Sequence, residues 1–180
     1  MTIQEHKLCQ AKARDAFAAA HIILTEAESE AIEIADFGLR EWERTGLAIL
    51  TYVNTERCCA KEMALLPHQT CPEHRHPSGD GFEGKEETFR CRRGEVYLYV
   101  GGVRTEAIKA TVPAGSEPYY TVFHEIKLRP GEQYTLLPNT PHWFQAGAAG
   151  AVISEFSTKS RDESDVFTDT RIRRMPEVTA

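Results

Sequence analysis

No apolar run in this sequence approaches the roughly 20 residues needed to cross a bilayer. The first twenty residues, broken by Glu5, Lys7, Lys12, Arg14 and Asp15, lack the unbroken apolar core of a signal peptide. Both absences predict a soluble, cytoplasmic protein. Basic clustering is missing too: 21 Lys and Arg stand against 27 Asp and Glu, and the cations form no stripe. Nucleic acid and anionic membrane both reward gathered positive charge, so neither is the expected partner. Cysteine is sparse and odd in number, five residues without a CxxC pair. That excludes a zinc ribbon and a disulfide framework, and predicts free thiols mostly buried as small hydrophobes. Internal repeats, low-complexity tracts and linkers are also lacking, so the 180 residues are expected to form one domain.

What is present changes character along the chain. Residues 4 to 21 are Ala-rich and polar and predict a helix. Thr25 with Glu28 has the capping-box spacing of a second helix start. From about Ile32, Gly and Pro punctuate a sequence rich in β-branched and aromatic residues. Strands are expected at Leu47–Val53, Cys58–Leu66, Glu86–Cys91, Glu95–Val100, Tyr119–Leu128, Gln133–Leu137, Trp143–Ala146 and Ala151–Ser157. Turns are expected at Arg93-Gly94, Gly101-Gly102, Pro130-Gly131 and Gly147 to Gly150. Many short strands without intervening helices indicate an antiparallel sandwich or barrel. The expected division is a helical extension over 1–31, the barrel over 32–160 and a charged tail over 161–180 that wraps the surface.

Three segments carry metal-binding chemistry. In Glu73-His74-Arg75-His76-Pro77, residues two apart on a strand share a face, so His74 and His76 can present both imidazoles to one ion. Alone, that pair reads equally well as two solvated histidines. Glu87 shares a strand face with Phe89 and Cys91, and a carboxylate in apolar company needs a partner. His142, in Pro138-Asn139-Thr140-Pro141-His142-Trp143-Phe144, reads by itself as a hydrogen-bonded core histidine.

Together these residues resemble the two cupin motifs. HxH, a later Glu, six residues and Gly94 form the first; Gly131, a strand, Pro138 and His142 form the second. The connection between His76 and Glu87 is longer than usual, and no Gly lies between Pro138 and His142. The resemblance implies an all-β cupin, a jelly-roll-like antiparallel β-barrel with N-terminal helices, whose metal is held by His74, His76, Glu87 and His142. Three imidazoles and a carboxylate suit Mn²⁺, Fe²⁺, Co²⁺, Ni²⁺ or Zn²⁺. Room for sugar oxygens leans toward Mn²⁺.

Longer runs resemble bacterial D-lyxose isomerases: Tyr52 to Glu62, Pro67 to Pro77, Gly84 to Cys91, Pro138 to Gln145 and Ser154-Glu155-Phe156-Ser157 with Arg161-Asp162-Glu163. The resemblance implies interconversion of D-lyxose with D-xylulose, and of D-mannose with D-fructose, in a homodimer. The expected route is proton transfer through a metal-stabilised cis-enediolate, with a hydride shift as the alternative. Glu155 is the expected base, on a face shared with Ile153 and Ser157 in an apolar barrel. Lys85, two residues before Glu87 at the barrel mouth, is expected to stabilise the enediolate oxygen. Lys61, on a face with Met63 and Leu65, is a candidate sugar-binding residue. Phe144, Arg161 and Asp162 are assigned to the sugar pocket by the resemblance. His124, between Val122 and Ile126, reads as a core histidine. A cupin oxygenase and a non-catalytic sugar-binding cupin are the competing readings.

Overall fold

The computed structural model describes residues 1–79, 81–175 and 178–179, so Asp80 of the Gly-rich connection and Pro176, Glu177 and Ala180 of the tail lie outside it. Helix α1 (Ile3–Ala19) starts at a capping box in which Glu5 N–H donates to Thr2 Oγ1 (3.2 Å) and Thr2 N–H donates to Glu5 Oε2 (2.7 Å). The expected Thr25–Glu28 box is formed as well, but it begins only a five-residue helix, α2 (Glu26–Glu30).

Strands β1 (Glu33–Ala35), β2 (Leu47–Asn54), β3 (Cys59–Leu65), β4 (Thr70–Arg75) and β5 (Glu87–Val100) follow. After them come β6 (His124–Leu128), β7 (Gln133–Leu136), β8 (His142–Ser157) and β9 (Val166–Phe167). All their pairings are antiparallel. The order is β1-β2-β3-β8-β4-β9, and β5 pairs with β6, β7 and β8, so one sheet curls into a half-barrel. Antiparallel pairing fits the connections, which apart from residues 101–123 are too short for a crossover helix.

Two expected turns are bends within strands instead. β5 runs on through Arg93-Gly94, and its register against β8 shifts between Cys91 and Arg93 and again between Gly94 and Val96. β8 likewise continues through Gly147 to Gly150. The two long strands stay paired from Glu87↔Ser157 to Val100↔His142, so the curl is taken up by bulges, which bend a strand without ending it. Gly94 sits at φ +75, where a Cβ would lie 1.9 Å from the Gly150 carbonyl oxygen.

The expected Tyr119–Leu128 strand begins only at His124, because Glu117–Tyr119 forms a 3₁₀ turn. The backbone N–H groups of Thr121 and Val122 donate to the buried Glu73 carboxylate rather than to a ladder (2.5 and 3.1 Å). His124 is not a core residue: it is exposed on β6, with Nδ1 donating to the Val103 carbonyl (3.0 Å). β1 and β9, at three and two residues, are too short to show alternation in a sequence.

Alternation divides the apolar residues between the two faces of the sheet. Leu47, Ile49, Met63, Phe89, Phe144 and Ile153 fill the inside. Ala48, Leu50, Ala64 and Val152 on the outside are covered by Ala13 and Phe17 of α1. Burying a side chain such as Phe17 contributes about 1.5–3 kcal/mol. The cysteines are free: Cys59, Cys71 and Cys91 are buried, Cys9 is half-buried and Cys58 is exposed. Among the described residues no helix is long and apolar enough to cross a membrane.

The bulge generates a test. Gly94→Ala combines a left-handed backbone cost of about 1–2 kcal/mol with overpacking of about 1–3 kcal/mol. It should lower the urea unfolding midpoint accordingly. Gly101→Ala, with nothing within 4 Å of its added methyl, should stay within about 0.5 kcal/mol of wild type.

Candidate active site

Strand register brings the three histidines together. His74 on β4 stands opposite His142 on β8, and His76 follows two residues after His74, just past the end of β4. All three are buried, and their nitrogens lie within 4.8 Å of one another, a spacing that can hold one metal ion. Each ring is oriented through Nδ1. His74 Nδ1 bonds the Pro72 carbonyl (2.8 Å), His142 Nδ1 the Thr140 carbonyl (2.9 Å) and His76 Nδ1 the Asp165 carboxylate (2.5 Å). Carbonyls and ionised carboxylates only accept, so Nδ1 carries the hydrogen in each ring and Nε2 is the nitrogen left for a metal.

Glu87 Oε1 lies 3.1 Å from Nε2 of both His76 and His142, while its Oε2 is 2.7 Å from Lys85 Nζ. His142 Nε2 is nevertheless buried without a hydrogen-bond partner among the described residues. A buried polar atom left so costs about 1–3 kcal/mol. A divalent metal between the three Nε2 atoms and Oε1 would satisfy it, and the nitrogen–carboxylate donor set fits such an ion.

The remaining expected residues surround this cluster. Glu155 on β8 pairs in register with Lys61 on β3 and with Phe89 on β5. It is buried, but its company is ionic rather than apolar: Lys85 Nζ is 3.0 Å from Oε1, and Ser157 Oγ donates to the same oxygen (3.1 Å). Lys85 is buried between Glu87 and Glu155 rather than at an open mouth. Lys61 is buried as well and donates to Ser160 Oγ (2.9 Å) and Asp162 Oδ2 (2.8 Å). Phe144 packs edge-on to Phe89 at 5.2 Å and lines the same cavity. Arg161 lies apart from that cavity. Its guanidinium sits 4.4 Å over the Phe82 ring and lines an adjoining pocket with His76, Lys85 and Asp165.

The cavity beside the cluster holds about 40 Å³, against roughly 300–1,000 Å³ for ordinary ligand pockets.

Sequence reasoning missed four contributors, and all lie after Thr158. Asp165 bonds His76. Phe167 stacks on His74 with centroids 5.3 Å apart. Ser160 and Arg174 hold Asp162, Arg174 at 2.9 Å. The tail's charge was visible, but no periodicity marked which of its residues turn inward.

Charge shapes the titration of the cluster. Burial, with His142 and His76 alongside, holds His74 well below its ordinary value. Burial also opposes charge on Glu87, yet Lys85 and His76 outweigh it and keep the carboxyl well below the usual range. Burial works against the Lys85 ammonium in the same way, and Glu155 and Glu87 hold it protonated. For Asp162 the charges of Lys61, Lys85 and Arg174 overcome burial and keep it ionised.

A sequence model described as D-lyxose isomerase matches residues 24–180. The chain belongs to the D-lyxose isomerase family. The family member "D-lyxose/D-mannose isomerase" of Thermosediminibacter oceani is 61% identical over 172 residues, covering 96% of this chain and 95% of that one. The "D-lyxose ketol-isomerase" of Cohnella laeviribosi is 60% identical over 160 residues, 89% and 88% of the two chains. Among solved structures, the L-ribose isomerase of Acinetobacter sp. DL28 superposes with a TM-score of 0.78 at 16% identity, over 96% and 94% of the chains. That of Cellulomonas parahominis gives 0.77 at 17%. Such low identity carries the fold alone, the expected all-β cupin.

His76 yields a prediction for the metal-free protein of this family. Burial lowers its affinity for a proton, but Glu87 and the bonds to Asp165 and Glu87 raise it to about 9 from 6.5. Between those values the folded chain holds a proton that the unfolded chain releases. This contribution to stability is complete below pH 6.5 and lost as pH rises through 9. Thermal melts in EDTA should fall over that window, and should fall less with Mn²⁺ bound. A flat EDTA profile would count against the His76 environment described.

Proposed function

We propose that this chain is an aldose–ketose isomerase that interconverts D-lyxose and D-xylulose, and D-mannose and D-fructose. The observation that carries this reading is the buried Lys85–Glu155 pair beside the three histidines and Glu87. It sets an acid–base couple against a metal cradle, in a chain whose relatives of 57–61% identity are named for D-lyxose isomerisation.

Isomerising a 2-hydroxy aldehyde moves one proton from C2 to C1 and one from O2 to O1. His74, His76, Glu87 and His142 would hold a divalent ion, Mn²⁺ in this proposal, which would supply Lewis acidity toward the C2 proton. Glu155 takes that proton and, after exchange with solvent, returns one to C1, a contribution of roughly 10²- to 10⁴-fold. Lys85, kept protonated by its two carboxylates, places positive charge where the enediolate oxygens develop negative charge. Lys61 and Asp162 offer a donor and an acceptor to the distal hydroxyls, and Phe144 gives the carbon chain an apolar wall. Arg161, over Phe82, borders the way in. An oxygenase has no need of the Lys85–Glu155 couple, and a binding-only cupin has no need of a base.

Cytoplasmic residence belongs to the same proposal, supported by the free cysteines, and a homodimer rests on the family resemblance.

The test strips the protein with EDTA, restores Mn²⁺ and follows D-lyxose in D₂O by NMR. Metal-dependent ketose with deuterium at C1, reduced roughly 10²-fold or more in Glu155→Gln, is the expected result. Oxygen uptake in place of ketose, or no turnover of any pentose or hexose with metal bound, would overturn it.

A further inference from the structure

Two of the three histidines are oriented locally. His74 and His142 bond carbonyls two residues back, Pro72 on β4 and Thr140 just before β8. His76 differs: its Nδ1 partner, Asp165, lies 89 residues away, beyond the last long strand. The Asp165 side chain is 6% exposed, and its oxygen is 2.5 Å from the ring.

Asp165 is the first of four consecutive residues that dock antiparallel on the segment bearing two of the ligands. Asp165 meets His76, Val166 pairs with Arg75, and Phe167 pairs with His74 and stacks on its ring. Thr168 N–H donates to the Glu73 carbonyl (3.1 Å), and its hydroxyl donates to the Glu73 carboxylate (2.7 Å). A ring that can rotate about its own bonds presents Nε2 to a metal only while something holds Nδ1–H. For His76 no neighbouring carbonyl does so among the described residues; its Nδ1 partner is Asp165.

We propose that Asp165 is a positioning residue for the metal, fixing His76 as an Nε2 ligand, so that metal retention depends on the Asp165 carboxylate. The proposal rests on the metal reading above. A carboxylate behind a ligating histidine locks the tautomer and makes the ring a better donor. Loss of such a partner costs about 10- to 100-fold in affinity.

The experiment titrates wild type, Asp165→Ala, Asp165→Asn and Thr168→Val with Mn²⁺ alone, reading free Mn²⁺ by electron paramagnetic resonance. Thermal melts of each metal-free protein confirm folding. Thr168→Val loosens the same segment without touching a ligand, so it separates positioning from mere docking. Asp165→Ala should bind Mn²⁺ about 10- to 100-fold more weakly than wild type. Asp165→Asn, which keeps an acceptor oxygen, should lose less, and Thr168→Val should stay within about threefold. Equal losses in Asp165→Ala and Thr168→Val, or no loss in either, would overturn the positioning role. Should Asp165→Ala not fold, Asp165→Asn matching wild type would overturn it and a measurable loss there would support it. A wild type that binds no Mn²⁺ would instead overturn the metal reading, and this proposal with it.

Discussion

A carboxylate inside an apolar barrel is an expensive thing to keep ionised, and Glu87 is such a group. Stripping it of water without compensation would cost more than the whole net stability of a domain this size. The surroundings of Glu87 answer that cost: Lys85 on one oxygen, two imidazoles near the other. Lys85 is itself buried and needs Glu155 as well. Asp162 takes its compensation from Lys61 and Arg174, and Asp165 from His76. Glu87, Glu155 and Asp162 thus share Lys61, Lys85 and Arg174, the last also paired with Glu33. In the metal-free chain a raised proton affinity at His76 brings positive charge toward Glu87. A divalent ion in the same cradle would replace it with more charge and also satisfy the orphaned His142 nitrogen.

The apolar half of the protein exists to hold that network still. β5 and β8 pair over their whole lengths, and one face of each supplies the site residues Glu87, His142 and Glu155. Because side chains alternate, a register slip of one residue would turn these groups outward together. The bulges at Cys91–Val96 curl the pair without breaking it, and α1 seals the outer face over Leu50 and Val152. The long segment before β6 is tied down by side chains rather than by a ladder, chiefly by the buried Glu73 next to His74. Structure that looks peripheral is therefore within one residue of the ligands.

What could be read from the residues follows from periodicity and local chemistry. Alternation in Glu87 to Cys91 placed Glu87 inward, the HxH spacing placed two imidazoles together, and the capping box began α2. Lys61 shares a strand face with Met63 and Leu65, and all three are buried. The turns inferred at Gly94 and Gly147–Gly150 failed because a glycine with positive φ serves a bulge as well as a hairpin. Only the partner strand decides between them. His124 failed because alternation reports that one face differs from the other, and on an edge strand both can meet solvent.

The sequence by itself determined the antiparallel all-β architecture, the four metal-ligand candidates and the inward Glu87, because these depend on residues two apart or on motifs of a few residues. Tertiary structure decided who compensates whom. Lys85 with Glu155 and Asp162 with Lys61 are pairs between segments 70 and 101 residues apart. Asp165 behind His76 and Phe167 on His74 likewise arise only when the tail docks on β4. Long-range ion pairing leaves no periodic trace along a chain, because its energy depends on distance in space and not on spacing in sequence.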